Sequence, residues 1–449
     1  MADVWKFVDS PTIAATVRLD LNDDDGPFHV QPVEWGTARL RRAVSQNLMT
    51  NGGYVGPSTY DLRVLPLSLD VISSTQDDGA TALQALNREL DRETNWLMYQ
   101  PVDATFPVFF KVYRSDKSRL LDVLSAISFR QVTVDLLVEP FAYGTLESFS
   151  GTISQDGTSG SSFIATTPTI KGDVAAPFAV DLDGTGIYSA SPVLVSSIAS
   201  ESAPSLARLT DNADFTLGTD ASNVTGAGSG FWNGDYVNVS FGTTTADANR
   251  ASFSASLPAG RWRVLANVVN YDASPVDTDH ISAHVRQTTS GGTTLETGAT
   301  VKLYESSGGV LLYSMGVFTV PFGGAPSSSN TTAYFRLHAA QRSSTGALRI
   351  DGVVFVPVES DDFTDQTSAL LTYTSPSPTT GLVVDGLTKG TYYGDYGSGY
   401  PISPPPMLGG FGRLSPGQVN SLVIGTGIST VSYAVYYYPL YDIAKPPGS

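Results

Sequence analysis

From about residue 145 to the last residue, the sequence carries almost no helical periodicity. Apolar residues instead recur at every second position in short runs, and Gly, Pro or Asn-Asp clusters break each run. A period of two puts alternate side chains on one face of a strand, so this stretch can bury its apolar residues only in sheets. Short strands punctuated in this way predict β-sandwiches. The composition points the same way, with 43 glycines, 27 prolines, 21 tyrosines and only 15% charged residues. At 449 residues the chain exceeds one ordinary core, and about two to four domains are expected.

The formal net charge is -17. An acidic surface repels phosphate, which argues against sequence-specific nucleic-acid binding, though not against a channel wall that DNA slides past without sticking. There is no cysteine, which removes disulfides, thiolate zinc sites and cysteine nucleophiles. The start, MADVWKFVDSPT, lacks a basic region followed by an apolar run, so no export signal is expected. The most apolar stretch, residues 310–320, is shorter than the ~20 residues that span a bilayer, so no membrane insertion is expected.

Residues 1–144 read differently. Residues 14–22 alternate, with Val17, Leu19 and Leu21 on one side, and residues 60–72 alternate in part. Residues 81–97 place Leu83, Leu86, Leu90 and Leu97 at helical spacing, with Asp77 or Asp78 as N-cap. A strand over 107–114 and a second helix over 115–129, striped by Leu120, Leu124 and Ile127, follow. In QVTVDLLVEPFAYG, residues 131–144, Val132, Val134, Leu136 and Val138 share one strand face before Pro140 ends the ladder. Together these elements predict a compact α+β domain. The Ser/Gly/Thr-rich run after it reads as a linker.

Three segments, NREL…NWLMYQP, PVFFKVYRS and QVTVDLLVEPFAYG, resemble in that order the distal tail proteins of long-tailed bacteriophages, most nearly the minor tail proteins of phages infecting actinobacteria. Trp96, Phe110, Glu139, Pro140, Phe141, Tyr143 and Gly144 carry the resemblance. The resemblance implies a mainly β chain with an α+β ring-forming "belt" domain over residues 1–145 and a linker over 146–173. It also implies a galectin-like β-sandwich in two parts, 174–205 and 359–449, and between them an inserted jelly roll, 206–358, similar to carbohydrate-binding modules. The function it implies is structural. A homo-oligomeric six-fold ring in the virion joins the tail tube protein to the tail tip or baseplate hub proteins and surrounds the DNA channel. The insert then faces outward toward host cell-wall polysaccharide. The chain would be made in the host cytoplasm and would need no cofactor. Host-polysaccharide adhesion as the main role, and wall depolymerisation, are the competing readings.

Few residues suggest chemistry. Asp181-Leu182-Asp183-Gly184 looks like the start of a calcium loop, but no later ligands follow, so a hairpin turn between two strands is the better reading. His280 and His284 lie four apart, about 13 Å along a strand, too far to share a metal, and no third ligand is evident. Trp232, Tyr236 and Tyr271 are candidates for an aromatic sugar platform, with core packing as the alternative; Trp262 reads as core. Asp351 matches a position that holds structural calcium in some jelly rolls, but the accompanying Glu residues are missing. The Asn223, Asn238 and Asn330 triplets read as turn and strand residues. No G-x-S-x-G elbow, P-loop or HExxH is present, and no catalytic residue is assigned.

Overall fold

The computed structural model describes residues 3–33, 39–46, 53–114, 129–154, 164–183, 194–200, 207–209, 212–226, 235–241, 246–257, 259–272, 281–303, 311–321, 331–341, 346–358, 381–393, 396–397, 400–401, 411–425 and 430–442. It is mainly β, with one α-helix among the described residues. The chain divides into two units. The first holds Met1–Glu147, Ile170–Ala176 and Tyr437–Ser449; the second holds Ser148–Thr169 and Pro177–Tyr436.

The first unit is the α+β domain expected from its pattern. Its main sheet runs, in spatial order, Val17–Asp20, Val4–Val8, Thr94–Gln100, Val108–Tyr113, Phe129–Val138, Arg63–Ile72 and Phe28–Val30. Val132, Val134, Leu136 and Val138 are all buried, as the alternation requires. Arg63–Ile72 pairs with Phe129–Val138 over its whole length, despite Pro66 in its interior. The Ser68 carbonyl accepts from Gln31 N–H, and Pro66, two residues earlier, faces the same way, past the end of the short Phe28–Val30 strand. Its missing donor therefore costs no ladder bond.

The helix differs from expectation at both ends. It spans Gln76–Leu90, and its N-cap is Thr75, whose side chain accepts from Asp78 N–H. Asp77 and Asp78 instead occupy the first turn, where their charge meets the positive end of the helix dipole. The helix ends before Leu97, which lies in the Thr94–Gln100 strand: Thr94, Trp96 and Tyr99 are strand formers, and that segment pairs with Val4–Val8 and Val108–Tyr113. Ala82, Leu83, Leu86 and Leu90 pack into one core with Phe7, Phe28, Leu67, Phe110 and Val134. Residues 115–128 of the second predicted helix lie outside the described residues.

In the second unit, Glu147–Ser154, Thr430–Tyr437, Ala176–Asp183, Gly381–Asp385, Gly390–Tyr393 and Tyr400–Pro401 lie side by side in one sheet, and Ile164–Thr166, Val419–Gly425 and Leu194–Ser200 form another. Two expectations fail here. The predicted linker holds two strands, Glu147–Ser154 and Ile164–Thr166, and Glu147–Ser154 is the edge of its sheet. Ala176–Asp183 and Leu194–Ser200 are not a hairpin, because each pairs with a distant strand, Gly381–Asp385 and Val419–Gly425 respectively. A local Asp-Gly signal was outweighed by non-local pairing.

The stretch from Ala207 to Val358 builds two further sheets. One orders Ala221–Val224, Tyr236–Ser240, Gly346–Val358, Gly260–Asp272 and Leu311–Val320; the other orders Thr216–Leu217, Ala248–Leu257, Thr331–Gln341, Ile281–Thr288 and Thr294–Thr297. Their apolar faces meet as a sandwich. Phe355 of the first lies 5.2 Å from Phe335 of the second, which stacks on Phe253 at 5.7 Å. Trp262 is in this core, as its strand pattern predicts.

Candidate functional site

In the first unit, Trp96, Glu139 and Tyr143 of the residues that carry the family resemblance come together, with Pro140, Phe141 and Gly144 beside them in the chain, whereas Phe110 faces the core on the other side of the sheet. Pro140 ends the Phe129–Val138 strand, and the chain re-enters the sheet at once as Ala142–Tyr143, which pairs with Leu440–Tyr441 from the end of the chain and with Phe109. Glu139 is the polar centre of this seam. It accepts from the Tyr113 hydroxyl at 2.6 Å and from the Tyr143 hydroxyl, and it pairs with Lys111 Nζ at 3.0 Å. Its backbone N–H donates to the Lys111 carbonyl. Burial pushes the Glu139 carboxyl up, but the bonds from Tyr113, Tyr143 and Lys111 outweigh it and hold its pKa below the usual value. Burial and the same carboxylate push Tyr143 far up, so its hydroxyl remains a donor.

Aromatic edges close the seam. Trp96 meets Tyr143 edge-on at 5.3 Å, Tyr143 meets Tyr438 at 6.2 Å, and Phe141 meets Tyr60 at 4.9 Å. Phe110 is fully buried, with the Arg63 guanidinium 5.1 Å over its ring. Gly144 donates to the Pro439 carbonyl at 2.7 Å, and a Cβ there would lie 3.0 Å from the Tyr441 ring. Leu440 and Tyr441, expected in the sandwich, thus pair in the first unit; Pro439 separates them from the Thr430–Tyr437 strand.

Of the sugar-platform candidates, Tyr236 and Tyr271 lie on the two strands that flank Gly346–Val358. Trp232 lies outside the described residues. Tyr236 is half-buried under the Arg349 guanidinium, 5.1 Å above its ring, and next to Val237, which pairs with Ile350. Tyr271 is opposite Ala347, on the other side of the shared Gly346–Val358 strand and about 13 Å further along it. Asp351 is buried in a strand and accepts from Asn267 Nδ2 at 2.6 Å. Asp181 is likewise in a strand, accepting from Tyr396 N–H at 2.9 Å; Gly184 lies outside the described residues. Asn223 and Asn238 are opposed-strand residues; Asn330 is not described.

His280 is not described, and His284 finds a different partner. It sits directly opposite His338, with the rings stacked at 5.3 Å and Asp247 beside both. Burial, and then the Arg286 charge, lower the His338 pKa to about 4. Spacing along one strand could not show this cluster. The visible signal was a pair of alternating strands with mirrored outer residues, His284-x-Arg286 and Arg336-x-His338. A shallow, open hollow lined by Gln84, Asn87, Arg88, Asp91 and Arg92 lies on the polar face of the helix. No helix among the described residues is long and apolar enough to cross a membrane.

No protein-family model matches the chain, and no curated protein matches it. Among solved structures, the SPP1 Dit protein overlays at TM-score 0.39 and 9% identity, covering 98% of this chain and 99% of its own. A chain of the phage P2 baseplate in its activated conformation with Ca overlays at TM-score 0.27 and 10% identity, covering 81% and 100%. A chain of infectious bursal disease virus, Gt strain, overlays at TM-score 0.20 and 10% identity, covering 67% and 82%. Overlays this loose do not by themselves establish a shared fold.

Proposed function

We propose that the chain is a structural virion protein, a distal tail protein whose first unit assembles into a ring between the tail tube and the tail tip around the DNA channel. The observation that carries this reading is the seam around Glu139. Two of the residues that resemble the distal tail family, Tyr143 and Gly144, tie the end of the first unit's opening segment to Pro439, Leu440 and Tyr441 of its last segment. The chain leaves this unit after Glu147, passes back through it at Ile170–Ala176 and returns at Tyr437, so three separate segments build the unit that serves in this reading as the base. The base also exposes Val17, Val64, Ile72, Val102 and Phe106, apolar area that a second copy of the unit would cover. The net charge of -17 keeps exiting DNA from adhering to a channel wall. Residues 206–358 face outward toward host cell-wall glycan in this reading, and the protein has no catalytic turnover.

Imaging of the intact particle tests the placement: a ring at the tube–tip junction is expected, and density elsewhere, or a lone subunit, sinks it. Particles lacking residues 206–358 should still assemble but adsorb less. Unchanged adsorption would remove the glycan role. Release of reducing sugar from purified host wall would overturn the absence of turnover.

A further inference from the structure

On the outer face of the second sheet of the Ala207–Val358 sandwich, three potential metal ligands converge from three successive strands. Asp247 immediately precedes the Ala248–Leu257 strand, His338 lies in the neighbouring Thr331–Gln341 strand, and His284 in the next, Ile281–Thr288. The alternation that buries Ala333, Phe335, Leu337 and Ala339 sends His338 outward, and the antiparallel register then sets His284 directly against it. Asp247 Oδ2 is 3.6 Å from His338 Nδ1 and 3.9 Å from His284 Nε2. The three ligand atoms all lie within 4.8 Å of one another. A tetrahedral ion with bonds of about 2.0–2.1 Å sets its ligand atoms about 3.3 Å apart, so closing this triangle takes small movements. Asp247 is 41% exposed and able to supply most of them.

Two further observations point to a ligand. His338 Nδ1 is buried and has no hydrogen-bond partner among the described residues. The same is true of Asn249 Oδ1, an oxygen donor in register opposite His338. Buried polar atoms without partners cost free energy, and a bound ion would satisfy them. His284 Nε2, meanwhile, accepts from Arg286 Nε at 2.9 Å, and Arg286 Nη2 reaches Asp247 Oδ2 at 2.8 Å. Because a guanidinium only donates, the His284 lone pair must face the site. Arg286 thus holds a positive charge between two of the three ligands, in the position a metal ion would take.

We propose that Asp247, His284 and His338 form a binding site for a nitrogen-preferring first-row divalent cation, Zn2+ in the first instance, which displaces the Arg286 side chain and is completed by water. Imidazole and carboxylate together suit Zn2+, Co2+ or Ni2+ better than Ca2+ or Mg2+. Arg286 is 30% exposed and has room to swing into solvent. Arg336, opposite Arg286 in register, adds a repulsion that limits affinity. A bound ion would clamp three neighbouring strands through their outer faces. The inference does not depend on where the protein resides in a particle.

The test is calorimetric titration of the full-length protein with ZnCl2, with Co2+ absorption as a probe of the coordination sphere. One ion per chain is expected. Affinity should fall at least tenfold in His284→Gln and in His338→Gln, as loss of a direct ligand requires, and should rise in Arg286→Gln. Because His284 and His338 are largely buried and stacked on each other, the metal-free unfolding transition of each variant is measured alongside, and Arg286→Gln, which keeps all three ligands, tests the site independently of the histidine variants. Absence of binding up to about 1 mM ion in both the parent and Arg286→Gln would overturn the site. So would stoichiometric binding that survives in the His284→Gln/His338→Gln double variant, or a Co2+ spectrum without imidazole character.

Discussion

The backbone N–H of Gly144 donates to the carbonyl of Pro439 at 2.7 Å, joining the end of the first unit's opening segment to the last dozen or so residues of the chain. The flanking ladder of Ala142 with Tyr441 and Tyr143 with Leu440 makes that bond part of a short two-stranded seam. Gly144 is buried, and the Tyr441 ring and Pro439 Cβ approach so closely that a side chain there would have to push them back by a few tenths of an ångström.

Gly144→Ala should therefore strain the seam. A Cβ would lie 3.0 Å from Tyr441 Cε2 and 3.3 Å from Pro439 Cβ, and overpacking of this kind costs about 1–3 kcal/mol. Hydrogen exchange should show faster opening at Leu440 and Tyr441, with the Gly381–Asp385 strand unchanged. Equal acceleration in both would mean that the seam is not a local contact.

Glu139→Gln should lower stability by about 1–2 kcal/mol, since Tyr113, Tyr143 and Lys111 lose a charged acceptor. The pH dependence has a definite sign. The folded carboxyl titrates below its ordinary 4.5, so its contribution is complete above that value and is lost as pH falls through the folded pKa. Urea midpoints measured at descending pH should fall more steeply for the parent than for Glu139→Gln below about pH 4.5. Parallel curves would show that the carboxylate is not held in its charged form by the seam.

Arg250→Ala should be among the most damaging single changes in the Ala207–Val358 sandwich. Arg250 is fully buried over the Phe241 ring, donates to the carbonyls of Ala246, Thr219 and Ala339, and pairs with Asp220 at 3.0 Å. Removing one partner of such a pair costs about 3–5 kcal/mol. Thermal unfolding followed by near-UV circular dichroism should report a clearly lower midpoint, and a shift as small as that of a surface change would contradict the buried network.

Lys389→Gly should stabilise. Lys389 holds φ at 57° in the turn between Gly381–Asp385 and Gly390–Tyr393. The Asp385 carboxylate accepts from Leu387 N–H, Thr388 N–H and the Thr388 hydroxyl and so fixes the preceding residues. Relief of a left-handed side-chain conformation outweighs the extra unfolded-state freedom of glycine, for a net gain of about 0.5–1 kcal/mol. A lower melting temperature in the variant would refute this.

The amino-acid sequence alone determined that most of the chain is strand and, where alternation is strict, which face turns inward: Val132, Val134, Leu136 and Val138 are buried for the reason their spacing announces, and Trp262 falls in a core. Pro140 marked a strand end correctly because a missing donor is a local fact. Tertiary structure decided what depends on register between distant strands. It cut the helix at Leu90 because residues after it found strand partners, and it sent Ala176–Asp183 and Leu194–Ser200 to different sheets. It placed Leu440–Tyr441 beside Ala142–Tyr143, and His338 opposite His284. Alternation specifies a face but not a neighbour, because the hydrogen-bonding edge of a strand is the same backbone whatever its side chains. Partners are therefore chosen only when whole faces are packed.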